Sequence, residues 1–421
     1  MKKVKHIPQG YKNSPLGIIP EEWQVKRLGD CTSLLTNGFV GVATPNYTEN
    51  TDGITYIQGF NVTEGGFNLK GIKKVTVEFH RKNIKSSLKE GDLLTIQTGD
   101  IGLTTIVPKQ LEGSNCHALI ITRFKEEVLP FFMLYYYNST IGRNRFYRIE
   151  TGSTMKHINT GDLYRFLIPI PPITEQKNIV EVAKMWDIAI EKQSELIEKL
   201  KLRKRALMQQ LLTGKKRRPG FSGKWKRIKL RDIAERITRK NDEDNKNVVT
   251  ISAQKGFVVQ TDFFNKSVAS ETLDNYFLVY KDEFCYNKSY SNGYPMGAIK
   301  RLKSFDKAVV TTLYICFKLK NITSVNIDFF DQYCESGIFN KELVKVANEG
   351  GRAHGLLNVT PSDFFNMHMG IPNIDEQNAI ATVLVNADKE IELANVKLAN
   401  LQSQKRGLMQ QLLTGNKRIV L

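Results

Sequence analysis

The eight residues Leu-Met-Gln-Gln-Leu-Leu-Thr-Gly occur twice, at Leu207–Gly214 and at Leu408–Gly415. Each copy closes a long helical pattern that opens with Glu-Gln, Glu175-Gln176 in the first and Glu376-Gln377 in the second. Both landmarks are displaced by 201 residues. Thr174–Gly214 and Asp375–Gly415 therefore align over 41 positions without a gap, 18 of them identical. A repeat unit this long excludes a solenoid of short repeats. The chain reads as globular part, long helix, globular part, long helix, with boundaries at 1–173, 174–214, 215–374 and 375–421.

Each long pattern carries a seam spaced alternately three and four residues. The first copy reads Ala183, Trp186, Ile190, Gln193, Ile197, Leu200, Lys204, Leu207, Leu211; the second reads Leu384, Ala387, Ile391, Ala394, Leu398, Leu401, Lys405, Leu408, Leu412. That is coiled-coil patterning, and the shared register predicts that the two helices pair with each other. Lys204 and Lys405 occupy the same seam position, which suggests a common register device. Thr174 is the expected N-cap of the first helix, and Gly214 the expected left-handed stop. A helix of about 38 residues would be a rod of roughly 57 Å.

The globular parts share order and signposts but little sequence. Trp23, Leu28 and Asp30 recur in spacing as Trp225, Leu230 and Asp232. Short β-branched runs punctuated by Gly and Asn predict strands at 54–60, 72–77, 92–98, 103–107, 117–124 and 166–170 in the first part. In the second they fall at 248–252, 283–287, 296–301, 308–318 and 367–371. Helical patterns cover 126–148 and 327–348. The aromatic run Phe131–Tyr137 within the first of these is read as core. The fold class expected is α/β, as one fold used twice with two different surfaces.

With 61 Lys and Arg against 43 Asp and Glu, the net charge is +18, a field that attracts polyanions. Five cysteines stand singly with no Cys-x-x-Cys pair, which argues for reduced thiols and against a zinc site. No apolar run reaches membrane-spanning length, and the start lacks a signal-peptide core, so a cytoplasmic protein with no membrane partner is expected. No phosphate-binding Gly-rich loop with Gly-Lys-Ser/Thr, His-Glu-x-x-His or Gly-x-Ser-x-Gly motif occurs, and the clustered acids Asp242-Glu243-Asp244 read as a solvated turn. The chemistry expected is therefore binding, with no catalytic residue, no metal and no cofactor held by this chain.

Candidate DNA contacts fall in three groups. From Lys199 to Arg231 there are 14 basic residues and no acid, including Lys215, Lys216, Arg217 and Arg218 in the linker; such a run suits phosphates. Two inter-strand loops offer Gly for close approach and polar groups for base edges: Gln97, Thr98, Asp100 and Thr104 in the first part, and Asn287, Lys288, Ser289, Tyr290, Asn292 and Tyr294 in the second. A further pair of polar stretches precedes each long helix, with Ser153, Thr154, Lys156 and His157 in the first and Arg352 and His354 in the second.

Taken together, Gly17–Trp23, Ile168–Pro172 with Glu175-Gln176, Leu207–Gly214, Pro219–Gly223 with Trp225, Glu376-Gln377 and Leu408–Gly415 resemble the specificity subunit of type I restriction–modification systems. One departure is Ile371-Pro372-Asn373-Ile374, where the family usually has a second proline; it should alter only the approach to the second helix. The resemblance implies two target-recognition domains of similar fold separated by two long conserved helices packed as an antiparallel coiled coil, with a pseudo-two-fold internal repeat. It implies that each domain reads one half of a bipartite double-stranded DNA site while the helices set the gap. It further implies docking of two DNA adenine methyltransferase subunits and of restriction subunits. Those partners, and not this chain, would use S-adenosylmethionine, ATP and Mg. The alternative from a different class is a coiled-coil scaffold that binds nucleic acid without sequence preference. A nuclease with a dispersed metal site ranks third.

Overall fold

The computed structural model describes residues 7–152, 156–260, 273–320, 323–347 and 356–419. The chain divides into two compact units, Met1–Gln193 with Lys397–Leu421, and Ser194–Val396. These units cut across the expected spacer segments, because each takes part of both long helices.

In the first unit, β1 (Gln24–Arg27), β2 (Thr32–Asn37), β3 (Leu93–Ile96), β4 (Thr104–Ile106) and β5 (Leu119–Phe124) precede two helices, α1 (Pro130–Asn138) and α2 (Thr140–Arg148). Strand β6 (Leu167–Ile170) then leads into the long helix α3 (Ile173–Leu211). The main sheet has the order β4-β3-β5-β2, antiparallel throughout, and β1 pairs with β6. The second unit repeats this plan with β7 (Lys226–Lys229), β8 (Ala234–Ile237), β9 (Phe284–Asn287), β10 (Ala298–Arg301) and β11 (Ile315–Leu319). It continues with α4 (Ile327–Glu335), α5 (Asn340–Val346), β12 (His368–Ile371) and the second long helix, α6 (Ile374–Leu413). Its main sheet, β10-β9-β11-β8, has the same order, and β7 pairs with β12. Helix and sheet are thus mixed, as expected, but the principal sheets are antiparallel, and among the described residues no helix alternates regularly with a parallel strand. A parallel pair is Asn115–Cys116 with Ile54–Ile57.

Two expected elements are divided. The single helical pattern at 126–148 breaks at Ser139, which takes an extended conformation and accepts the Gly142 N–H on its hydroxyl as the cap of α2. Only glycine fits at 142, where a Cβ would stand 2.1 Å from the Tyr136 carbonyl oxygen. The run 308–318 splits into Lys307–Val310 and β11 around a turn. The aromatic run is core as read: Phe132, Met133, Tyr136 and Tyr137 are buried, though Phe131 is not.

The long helices are held by the same contacts at positions displaced by 201. In the first unit, Asp187 on α3 pairs with Lys405 on α6 and accepts the Tyr135 hydroxyl at 2.6 Å. In the second, Lys204 on α3 pairs with Asp388 on α6, which accepts the Gln332 amide at 2.6 Å. The seam lysines are the register device, and within each unit the two helix segments run antiparallel. All the seam positions are buried or half-buried.

The Glu-Gln pairs open the helices from inside the protein. Gln176, fully buried, donates to the Pro171 and Glu127 carbonyls at 2.9 and 3.0 Å and accepts the Leu129 N–H at 2.8 Å, fixing the start of α1. Gln377 repeats this on Pro372, Ser324 and the Asn326 N–H at 3.0, 3.2 and 2.9 Å, fixing the start of α4. Glu175 takes the Trp23 indole N–H at 2.9 Å and a two-pronged contact from Arg418 at 2.6 and 2.9 Å. Glu376 takes the same contact from Arg217.

Thr174 is not the cap, because it lies inside the first turn of α3. The carbonyls of Pro172 and Asn373 receive the first helical N–H groups, from Gln176 and Gln377. Asn373 adds its own side chain, accepting the Glu376 N–H at 2.9 Å, a bond that the proline at 172 lacks. The departure at Asn373 therefore supplies a cap.

Gly214 and Gly415 end the helices with φ of +69° and +73°. At Gly415 a Cβ would also stand 2.4 Å from the Pro20 ring. Gly407, by contrast, lies within α6 with nothing within 4 Å of its Cβ position, and the first copy has Ala206 there.

Gln176→Ala and Gln377→Ala are each expected to cost about 2–4 kcal/mol, because buried amide and carbonyl groups lose their partners; denaturant unfolding of the full chain measures this, and a cost below about 0.5 kcal/mol would refute the clamp. Gly407→Ala should raise stability by about 1 kcal/mol, while Gly415→Ala should lower it by more than that. Paired thermal melts check the opposite signs.

Candidate nucleic-acid interface

The register of the first main sheet puts several chain segments at one end. Thr104 faces Thr95, Leu119 faces Ile96 and Ile120 faces Asn37. The segments after Asn37, between Ile96 and Thr104, and before Leu119 therefore emerge side by side. In the second unit Asn287 faces Ala298, Tyr286 faces Ile315 and Ile237 faces Cys316, giving the equivalent end.

The loop after β3 is shaped by Gly99 and Gly102, with φ of +90° and +81°, and is pinned by buried Ile101. A Cβ on Gly102 would stand 2.5 Å from the Phe146 ring, so glycine lets the loop close onto α2. Thr98 and Asp100 are exposed and Gln97 is half-buried. Asp100 pairs with Arg143 of α2, whose guanidinium lies 5.8 Å from the centre of the Tyr147 ring. Burial alone would lower the Arg143 pKa, but the bonds to Tyr147 and Asp100 outweigh it and hold it raised.

The structure joins this loop to the second polar stretch of the same unit. The Gln97 carbonyl accepts the Ile158 N–H at 3.0 Å, Thr98 and His157 form a bridge, and His157 pairs in turn with Thr151. Lys156 is exposed and pairs with Glu150. Ser153 and Thr154 lie outside the described residues. Thr104 is corrected: it is fully buried in β4, its hydroxyl bonded to Thr95 and to the Gly102 carbonyl, and it has no access to a ligand.

The loop after β9 repeats the arrangement with other residues. The Lys288 carbonyl accepts the Leu357 N–H at 3.1 Å and Ser289 bridges to Leu356. The segment running into the long helix thus again braces the candidate loop. Arg352 and His354, on that segment, lie outside the described residues. Tyr290 is 67% exposed and Asn292 is exposed, its carbonyl accepting the Gln254 amide at 2.9 Å.

Asn287 and Tyr294 are turned inward. Asn287 accepts the Ser289 N–H at 3.0 Å and donates to the Ile251 carbonyl, which shapes the loop. The Tyr294 hydroxyl donates to Glu335 at 3.1 Å and accepts from Lys300 at 3.3 Å. Burial opposes the Lys300 charge, but the charge of Glu335 and the bonds to it prevail, so its pKa is raised. Arg143, Lys300 and Glu335 were not singled out from the sequence. Each stands among other charged residues of its own element, Arg145 and Arg148 in α2, Arg301 in β10, and Asp328 and Asp331 in α4, so nothing local marks it out.

In the linker, Lys215, Lys216 and Arg218 are exposed. Arg217 is corrected: it is spent on Glu376, itself 1% exposed, and on the Gly223 carbonyl at 2.7 Å, so it anchors a helix start. Each unit also has a cleft beside the long helices. The first, about 770 Å³, is lined by Asn138, Ser139, Arg406, Met409 and Gln410; the second, about 510 Å³, by Glu335, Ser336, Arg205, Met208 and Gln209. Arg205, Met208 and Gln209 correspond to Arg406, Met409 and Gln410 at a displacement of 201, while the first cleft also takes in Asp187, Ile190, Glu191, Gln402 and Lys405 of the long helices. Among the described residues, no group of three or more His, Cys, Asp or Glu is placed to hold a metal ion, and no helix is long and apolar enough to cross a membrane.

A profile for the type I restriction modification DNA specificity domain matches residues 20–202. The chain is 25% identical to the type I restriction enzyme MjaX specificity subunit of Methanocaldococcus jannaschii, over 98% of this chain and 97% of that protein. It is 22% identical to the MjaVIII specificity subunit of the same organism, over 95% and 94%. Among solved structures, the type I restriction–modification S subunit from M. genitalium aligns with a TM-score of 0.51 at 16% identity, covering 93% of this chain and 96% of that one. A chain from a solved type I restriction–modification assembly aligns with a TM-score of 0.57 at 15% identity, covering 95% and 99%. These structural likenesses establish a shared fold. Over nearly its whole length the chain is thus similar to specificity subunits of type I restriction–modification systems, and its residues 20–202 match their DNA specificity domain.

Proposed function

We propose that each unit is a target-recognition domain reading one half of a bipartite, asymmetric double-stranded DNA site. In this reading the antiparallel long helices set the gap between half-sites and dock two adenine methyltransferase subunits, which in turn work with restriction subunits. The observation that carries the reading is the contrast between a repeated frame and unlike loops. The contacts Asp187–Lys405 and Lys204–Asp388, and the clamps of Gln176 and Gln377, recur at equivalent positions. The braced loops beside them, Gln97 to Asp100 against Lys288 to Asn292, share no residue pattern. A repeated frame suits two copies of one partner, and the matched clefts at Arg205 and Arg406 support that. Unlike loops suit two different half-sites.

Within the loops, Gln97, Thr98, Asp100, Lys156 and His157 form the group proposed to meet one half-site. Lys288, Ser289, Tyr290 and Asn292 form the group for the other. Lys215, Lys216 and Arg218 supply phosphate contacts, which strengthen binding without reading sequence. S-adenosylmethionine, ATP and Mg belong to the partner subunits, and a target adenine is flipped into a methyltransferase.

Selection from a random DNA library by the chain co-purified with its methyltransferase subunits tests the reading. Two short, different blocks at a fixed gap are expected; enrichment with no motif would overturn it. Lys288→Ala with Tyr290→Ala should relax one block only, and insertion of about four residues, one helical turn, in both long helices should change the gap and leave both blocks intact. Replacing Lys215, Lys216 and Arg218 by Ala should weaken binding to specific and unrelated DNA alike. It should also make the plot of log affinity against log salt shallower by about 0.9 for each phosphate that is no longer neutralised. An unchanged slope would remove the linker from the interface.

A further inference from the structure

The segment Gly38-Phe39-Val40-Gly41-Val42 leaves β2 at the same end of the main sheet as the reading loop of the first unit. Both of its ends are fixed. Gly38 is buried, and a Cβ there would stand 2.6 Å from the Cys116 carbonyl oxygen. Its N–H donates to the Leu119 carbonyl at 2.7 Å, the Phe39 N–H donates to Cys116 at 2.9 Å, and Ala118 returns a bond to Phe39 at 3.0 Å. The Phe39 ring packs edge-on against Phe79 at 4.8 Å, and Ala43 is buried on the far side. Gly41, with φ of +145°, folds back so that its Cβ position is 3.0 Å from the Phe39 ring.

On this fixed base Val40 is 66% exposed and Val42 is 77% exposed. Two branched aliphatic side chains on a clamped loop thus bury little of their area in the fold. The equivalent segment after β8, Thr238 to Asn247, is polar and charged, so the exposed valines are a property of the first unit alone. Phe39 bridges to His117 beside β5, and Leu119 of β5 faces Ile96, where the reading loop begins; the valine loop therefore adjoins the proposed reading surface. In the major groove the one apolar feature of a base edge is the thymine C5-methyl group.

Resting on the reading of the first unit as a half-site reader, we infer that Val40 and Val42 are specificity-determining residues that contact thymine methyl groups in that half-site. The polar loop Gln97 to Asp100 reads hydrogen-bonding groups, and the valine loop reads methyls beside it.

The test uses uracil, which differs from thymine only by that methyl. The complex of full chain and methyltransferase subunits is bound to its selected site with each thymine replaced in turn by uracil, on either strand of the half-site that the Lys288 and Tyr290 variant leaves intact. At least one replacement should weaken binding by the wild type about fourfold, the factor for one buried methyl group. The Val40→Ser, Val42→Ser complex should lose that thymine preference and bind both DNAs equally, with the second half-site unchanged. A first half-site without thymine, no uracil effect in the wild type, or the same uracil effect in the double variant would overturn the inference. The wild-type measurement does not depend on how the variant folds. If the wild type selects no bipartite site at all, the half-site reading itself falls, and the two failures are told apart.

Discussion

Each long helix starts from a buried Glu-Gln pair, and the placement of both candidate loops traces back to it. A carboxylate buried to within a few per cent is tolerable only if charge and hydrogen bonds surround it. Glu175 has Trp23 and Arg418; Glu376 has Arg217. In both cases the arginine comes from just beyond the glycine that ends the other long helix, so the start of one helix is bonded to the end of its counterpart. The neighbouring glutamine binds backbone groups at the start of α1 or α4. Those helices carry Asn138 and Glu335, which hold the strands leaving the candidate loops. A short chain of polar contacts thus links the helix frame to the loops in each unit.

The same logic separates what the sequence reveals from what it hides. The repeat, the seam and the helix ends are legible because they are periodic and local: lysines at 204 and 405 in an apolar stripe, and glycines at 214 and 415 after it. The strands near both loops are legible from short apolar or β-branched runs. The bracing of Gln97 by Ile158 and of Lys288 by Leu357 is not, because partners some 60 to 70 residues apart leave no spacing signal. Composition likewise marks Arg217 as one more cation in a basic run. Its commitment to Glu376 follows only from the burial of that carboxylate, and the fold shows it. Thr104 misleads in the same way, since a polar residue in a strand looks identical whether its hydroxyl faces solvent or a neighbouring threonine.

The two units hold their loops by unrelated means. In the first, Asn138 bonds the backbone of Thr104 in both directions, at 3.0 and 2.7 Å. In the second, the corresponding helix end carries Glu335, which binds the buried Lys300 ammonium and through it Tyr294. An amide on a backbone and a carboxylate on an ammonium give the same mechanical result. The loop is anchored at its return strand, and the exposed tip does not carry that anchoring. Tips relieved of it can differ freely between units, which is the condition for one frame to carry two specificities.

In the proposed reading, affinity and specificity accordingly draw on different parts of the chain. A net charge of +18 produces attraction to any duplex, and the exposed linker cations add to it without regard to sequence. Discrimination requires groups that are rigid before DNA arrives, because ordering a loop on binding costs affinity for right and wrong sites alike. Asp100 fixed by Arg143, Asn287 folded onto its own loop, and the clamped ends of the valine loop meet that requirement. The basic run, although it is the most conspicuous feature of the composition, is therefore the part with the least bearing on which DNA is chosen.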